Sequence, residues 1–331
     1  MKRFLAALLP LLMLCGCVSR QYSTDIFAMD TFMTLTVAGD RAQGLIAECE
    51  KEINTLEQAL SRTREDSEIW ALNHAEGAAA EVPAARELLL SAIEYAELTD
   101  GLYDPTVAPL SELWNIGKEE ACVPEQAEID AALETVGFNN LTQLGEDTFG
   151  LLNGAQLDLG GIAKGYAADR CAALLQEAGA SGLLMLGGNI YAVGTNDGKN
   201  WVIGIADPAN PSDYIATVEV QNLSVVTSGD YERYFEQDGK RYHHIFDPRT
   251  GYPADSGLRS VTVIDENSTR ADALTTALFV MGLEDGMAFC EENEVAAVFI
   301  TAQNEVHVSE QVSEICTFDF VGEKKGYTYA Q

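Results

Sequence analysis

The sequence predicts an α+β fold: a two-lobed single unit with substantial antiparallel sheet and flanking helices. Short apolar runs meet at the turn pairs Asn153-Gly154 and Asp238-Gly239, a signature of antiparallel hairpins. Apolar residues in the first half recur at spacings of three and four, the helical period. Strands and helices do not alternate one for one, as a doubly wound parallel sheet requires. With 331 residues, 47% of them hydrophobic, the chain can bury the core of one large or two ordinary domains.

The chain opens with Met1-Lys2-Arg3 and an apolar run from Phe4 to Leu14, broken only by Pro10. The run is shorter than the ~20 residues of a membrane-spanning helix, so residues 1–16 read as a signal peptide. Leu14-Cys15-Gly16-Cys17 resembles a bacterial lipobox with Cys17 as the lipidated residue; the alternative is a plain secretory peptide with an incidental cysteine. The lipobox places the protein on the outer (extracytoplasmic or periplasmic) face of the bacterial cytoplasmic membrane, held by acyl chain alone. Residues 17–24 read as a tether and 25–331 as the folded unit, helix-rich to about residue 147 and strand-rich after it.

Within the first lobe, Phe27–Val37 alternates as a strand. Leu45, Cys49, Ile53, Leu56 and Leu60 mark an amphipathic helix, and two more are expected at Ala84–Leu98 and Glu125–Val136, ending at Asp100-Gly101 and Gly137. In the second lobe the turn pairs predict hairpins of Phe149–Leu152 with Ala155–Leu159 and of Tyr231–Gln237 with Lys240–Phe246. Further strands are expected at Leu183–Leu186, Ile190–Val193, Trp201–Ala206, Ile215–Val220, Val261–Ile264 and Ala296–Thr301, with helices at Ala163–Ala178, Arg270–Met281 and Glu284–Asn293.

Twenty Lys and Arg stand against 52 Asp and Glu, a net charge of -32. That excludes nucleic acid and anionic membrane as general partners, since both need clustered cations. An anionic ligand needs a local device: a metal, a helix N-terminus or an isolated cation. Beyond Cys15 and Cys17 the five cysteines form no Cys-x-x-Cys pair or zinc spacing, so neither a catalytic thiol nor zinc is expected. Disulfides are not assigned.

Five segments carry chemistry. Asp158-Leu159-Gly160-Gly161-Ile162-Ala163-Lys164-Gly165 joins a strand to a helix; its glycines, the free N–H groups of the helix start and Lys164 suit a phosphate, or else form a tight turn with a solvated lysine. Asp272 and Thr276 share one helix face and can offer two oxygens to a hard cation such as Mg2+; alternatively Asp272 complements the helix dipole and Thr276 bonds a backbone carbonyl. His243 and His244 fall on opposite strand faces, so one at most points into a site as a proton acceptor. Ser228, in Thr227-Ser228-Gly229-Asp230, reads as a hydroxyl bonding backbone or ligand, or as a nucleophile with His244 as base. Tyr103, in Leu102-Tyr103-Asp104, and Trp114 offer either pocket lining or core packing.

Taken in order with Phe27-Ala28-Met29-Asp30-Thr31, Ser67-Glu68-Ile69, Asp104 to Val107, Leu186-Gly187-Gly188-Asn189 and His244 to Gly251, these segments resemble the ApbE-type family of bacterial lipoproteins, the FAD:protein FMN transferases. The resemblance covers nearly the whole chain after the tether and implies an ApbE-like, T-fold-like architecture. It also implies an enzyme with FAD as substrate, Mg2+ as cofactor, and a Thr or Ser hydroxyl of an acceptor protein attacking the FMN-side phosphorus as AMP leaves. By resemblance, Asp272 and Thr276 hold the metal with the carbonyl of Gly161, Ala163 being the alternative carbonyl donor. Met29, Leu102, Tyr103, Asp104, Asp158, Lys164, Ser228 and Ile245 bind FAD, and His244 and Asp272 are catalytic. The implied partners are acceptors with an Asp-x-x-Ser/Thr-Gly-Ala-Ser/Thr motif, such as subunits of Na+-pumping NADH:quinone reductase (Nqr) or Rnf complexes. Asp30 stands where the family usually has Gly, and Thr63 near its usual aromatic. An FAD pyrophosphatase and a non-catalytic solute-binding lipoprotein are the competing functions.

Overall fold

The computed structural model describes residues 21–330, so the expected signal peptide and the expected lipidation site Cys17 lie outside the described residues. A nine-stranded sheet organises the molecule: β1 Gln21–Ala28, β2 Thr31–Ala38, β3 Ser181–Leu186, β4 Asn189–Val193, β5 Leu223–Gly229, β6 Leu258–Asp265, β7 Ala296–Thr301, β8 Glu305–Val308 and β9 Thr328–Ala330. Their order across the sheet follows the chain. Every neighbouring pair is antiparallel except β8 with β9. The sheet therefore takes strands from both halves of the sequence, and residue 147 does not divide it.

Alternation sends successive side chains of the sheet into two cores. Val225, Val298 and Ile300 face a three-stranded sheet of Trp201–Asp207, Asn210–Val220 and Thr317–Phe320. Val226, Ala297 and Phe299 face helix α3, Ser268–Met281, and Leu35 and Leu184 face α1, Ala42–Leu60, and α2, Ala163–Glu177. The apolar positions Leu45, Cys49, Ile53, Leu56 and Leu60 of α1 are all buried, as their spacing requires. The helices Arg86–Leu98, Gln126–Leu133 and Leu283–Glu292 also form where expected.

Three expectations are corrected. The strand Phe27–Val37 is a hairpin: β1 and β2 pair with Ala28 opposite Thr31, and Met29 and Asp30 form the turn at φ 48° and 57°. A two-residue hairpin turn of this hand needs positive φ at both positions, where Gly or Asn usually signals it; Met-Asp gives no such signal, though Asp tolerates the conformation. Gln21 to Thr24, expected in the tether, belong to β1. Asn153-Gly154 does turn, at φ 54° and 74°, but Ala155–Leu159 does not pair with Thr148–Leu151. The side-chain amide of Asn73 instead serves both backbone groups of Leu157, donating to its carbonyl at 3.0 Å and accepting its N–H at 2.7 Å. A single side chain thus serves Leu157, while its neighbours pair with another loop, Gln156 bridging Val107 and Asp158 N donating to the Pro105 carbonyl at 2.8 Å. The hairpin at Asp238-Gly239 forms as predicted, pairing Tyr234–Gln237 with Lys240–His243.

Candidate active site

Helices α2 and α3 cross at Gly165. A Cβ there would overlap the Ser268 carbonyl oxygen and stand 2.7 Å from its carbon and 2.9 Å from the Asp272 Cβ, so only glycine allows the approach. The crossing brings together what the sequence separates by over a hundred residues. The Gly165 N–H donates to Asp272 Oδ2 at 2.9 Å, Lys164 Nζ stands 3.8 Å from the same oxygen, and Lys164 also donates to the Gly160 carbonyl at 2.9 Å. Asp272 is only 3% exposed. Thr276 Oγ1 lies 3.5 Å from where a Gly161 Cβ would stand, and the Tyr103 ring 3.4 Å from the same point. Gly161, Lys164, Asp272, Thr276 and Tyr103 thus share one locality.

The donor set can be tested against a metal. Among the described residues no cluster of three or more His, Cys, Asp or Glu side chains is set to hold an ion. One carboxylate, one hydroxyl and a carbonyl fit Mg2+ when substrate oxygens and water complete its shell, and fit zinc poorly. The Tyr103 hydroxyl agrees: it is buried and has no hydrogen-bond partner, which is costly unless a ligand supplies one. Burial, then the nearby charges of Asp272, Asp104 and Asp158, push its pKa well above the usual tyrosine value, so it stays a neutral donor.

The expected free N–H groups at the start of α2 are largely engaged. Ala163 N bonds the Leu159 carbonyl at 2.9 Å and Gly165 N bonds Asp272, because the turn winds into the helix without a gap. Of the features expected to suit a phosphate, Lys164 and the glycine backbone remain.

Asp158 accepts from Gly160 N at 3.0 Å and pairs with Arg62 at 3.3 Å, a cation the sequence reading passed over. Both oxygens of Asp104 hold its own loop, Oδ1 accepting from Thr106 N and Oγ1 at 2.7 and 2.6 Å and Oδ2 from Phe138 N at 2.8 Å. Asp104 therefore shapes the loop that carries Tyr103. Leu102 packs between two core clusters, and Met29 sits half-buried in the β1–β2 turn. Trp114 is core: fully buried, it donates to the Gly251 carbonyl at 2.9 Å and packs on Tyr242 and Tyr252.

The two histidines divide as alternation requires. His243 is buried, with Nε2 2.9 Å from the Ala254 carbonyl and Nδ1 accepting from the N–H of buried Ile245. His244 keeps Nδ1 3.3 Å from the Arg233 carbonyl, which can only accept, so Nδ1 carries the proton and Nε2 is left as a proton acceptor. Burial, then the charges of Arg233 and His243, pull the His244 pKa down to about 3. Ser228 donates to Thr275 Oγ1 at 2.9 Å, and Thr275 donates to the Asp272 carbonyl at 2.8 Å. Ser228 and His244 thus have separate partners, and the nucleophile pair is not assembled.

Two residues absent from the sequence reading border this locality, Glu232, whose pKa burial raises and which feels the charges of Lys164 and Asp272, and Arg233; Asp169, which ends the matching segment Asp158 to Asp169, was given no role there and bonds the start of α3. Asp169 alone had a signal, one helical turn beyond Gly165 on the same face.

The fold and the helix crossing define a class: an α+β protein in which two helices cross over a sheet and bring a carboxylate, a hydroxyl, glycine backbone and a lysine together. The chain belongs to the ApbE family, whose model matches residues 29–299. It is 38% identical over 315 residues to the FAD:protein FMN transferase of Treponema pallidum, covering 88% of this chain and 87% of that one. It superposes on the ApbE protein of Thermotoga maritima with a TM-score of 0.85 at 36% identity, covering 89% and 99% of the two chains. For the flavin transferase ApbE of Vibrio cholerae the TM-score is 0.80 at 31% identity, with 90% and 100% covered.

Proposed function

We propose that this protein transfers FMN from FAD to a Thr or Ser hydroxyl of an acceptor protein through a phosphoester bond, releasing AMP, with Mg2+ as cofactor. The names of its relatives support the reaction class. The observation that carries the site assignment is the convergence of Asp272, Thr276, Gly161 and Lys164 at one helix crossing, beneath the unpartnered Tyr103 hydroxyl.

Bound there, Mg2+ would neutralise diphosphate charge and would be held by Asp272, Thr276 and the Gly161 carbonyl, with Ala163 as the other possible carbonyl. Lys164 draws the anion in against the protein's negative field, and Tyr103 donates a hydrogen bond to it. His244 Nε2 takes the proton of the attacking hydroxyl, its proton affinity, low in the ligand-free protein, rising beside the bound diphosphate's negative charge. As that oxygen bonds to the FMN-side phosphorus, the phosphorus–oxygen bond to AMP breaks and AMP leaves with the bridging oxygen. Met29, Leu102, Asp104, Asp158, Ser228 and Ile245 hold or shape the FAD site, Asp104 through the loop backbone it bonds and Ser228 through the Thr275 hydroxyl.

No helix among the described residues is long and apolar enough to cross a membrane. An acyl chain on Cys17 would hold the enzyme at the outer face of the cytoplasmic membrane, beside exported acceptors such as Nqr or Rnf subunits. The test is mass spectrometry of an acceptor carrying Asp-x-x-Ser/Thr-Gly-Ala-Ser/Thr, incubated with the protein, FAD and Mg2+. A mass gain of one phosphoester-linked FMN, that is FMN less one water, that EDTA abolishes is expected; free FMN and AMP without modified acceptor would refute transfer in favour of hydrolysis.

A further inference from the structure

The site is divided between α2, which carries Gly165 and follows the Gly161 turn, and α3, which carries Asp272 and Thr276, so its geometry depends on what fixes one helix against the other. We propose that Asp169 is a positioning residue: its carboxylate holds the first turn of α3 on α2 and thereby aims Asp272 and Thr276 at the Gly161 loop. The proposal rests on reading that locality as the divalent-cation site.

Asp169 Oδ1 accepts from Ser268 N at 2.8 Å, and Oδ2 accepts from Thr269 N at 2.8 Å and Thr269 Oγ1 at 2.5 Å. One turn earlier on α2, Gly165 N donates to Asp272, one turn later on α3. The two contacts run in opposite senses, α2 accepting at Asp169 and donating at Gly165. Spaced by a helical pitch of about 5.4 Å, they oppose both sliding and rotation of α3. Without Asp169, Gly165 is the remaining hydrogen-bonded tie from α2 to α3, the Ser268 hydroxyl keeping its bond from Ser224 on β5, and the Asp272 carboxylate can shift relative to the Gly161 loop. End-capping is a separable effect, because Asn267 caps the same helix by accepting from Arg270 N at 2.8 Å without touching α2.

The test uses the full chain with Mn2+ as the metal probe, its binding read by electron paramagnetic resonance without FAD, alongside kcat and KM for FAD. Groups that orient metal ligands typically affect affinity by about 10–100-fold. Asp169→Ala should therefore weaken Mn2+ binding about tenfold or more and lower kcat, while Asn267→Ala, matched for loss of thermal stability, leaves Mn2+ affinity within about twofold. Asp169→Asn retains one acceptor oxygen and should fall between; it serves if Asp169→Ala does not fold. Unchanged affinity in both Asp169 variants, with binding lost in Asp272→Ala, overturns the positioning role and leaves the site standing. Equal weakening by Asn267→Ala reduces Asp169 to a stabilising cap and also overturns it. Undiminished Mn2+ binding in Asp272→Ala overturns the site reading and this proposal with it.

Discussion

Replacing Gly165 with alanine tests the helix crossing directly. A Cβ would lie 2.7 Å from the Ser268 carbonyl carbon where an ordinary contact is 3.4 Å or more, so α2 and α3 must part by about 0.7 Å at least. Overpacking of this kind costs about 1–3 kcal/mol. Stretching the Gly165 N–H bond to the Asp272 carboxylate endangers a further contribution of roughly 1.5–3 kcal/mol, as for hydrogen bonds to charged groups. Opposing both is the gain in helix propensity of alanine over glycine, about 1 kcal/mol. The balance is a loss of roughly 1.5–5 kcal/mol, which at about 2.1 cal/mol/K of unfolding entropy per residue lowers the Tm of the 331-residue chain by about 2–7 °C. Because a displacement near 1 Å in a catalytic array can cost about a hundredfold in rate, transfer should fall much further than stability. Thermal melting of Gly165→Ala, paired with the flavinylation assay, checks both. An unchanged or raised Tm would mean that helix propensity wins and that the crossing is not tight, refuting the argument.

Asp272→Ala should reduce transfer by roughly a hundredfold or more, as expected on losing a main stabiliser of transferring charge. Ser228→Ala should remain active, losing about 1 kcal/mol of stability with its bond to Thr275; complete inactivation would restore Ser228 as a nucleophile. Tyr103→Phe removes a buried donor with no partner, so the ligand-free protein should melt no lower than the parent while KM for FAD rises; a lower Tm would mean the hydroxyl is already satisfied. His244 has its folded pKa lowered from 6.5 to about 3, so the unfolded chain binds the extra proton first. Its contribution to stability is full above about pH 6.5 and declines as pH falls toward about 3. The Tm of His244→Gln should fall less than that of the parent between pH 7 and 4; parallel curves would contradict the depressed pKa.

Elements with a long apolar period were legible because burial enforces the period: α1 is amphipathic in sequence and buried on that stripe. Turns were legible where their residues are chemically suited to positive φ, as at Asp238-Gly239, and missed at Met29-Asp30, where side chains that merely tolerate it hide a hairpin. Ala155–Leu159 has the alternation of a strand, yet its backbone partner at Leu157 is the amide of Asn73, which no local pattern announces.

By itself the sequence determined the α+β class, the amphipathic helices, the opposed histidines and the chemical identity of the candidate donors, since these depend on residue type and short-range periodicity. Family resemblance had grouped Asp272, Thr276 and Gly161; tertiary structure showed how the chain brings them together. Asp272 reaches Lys164 because a bare glycine lets two helices touch, and Asp169 binds the α3 turn across a hundred residues of chain. It also decided that Asp104 and Ser228 bond neighbouring backbone and side chains, and that Tyr103 is left with an unpartnered hydroxyl. The physical reason is range: propensity and period act over a few residues, whereas a buried polar atom takes its partner from whatever part of the chain the core packs beside it.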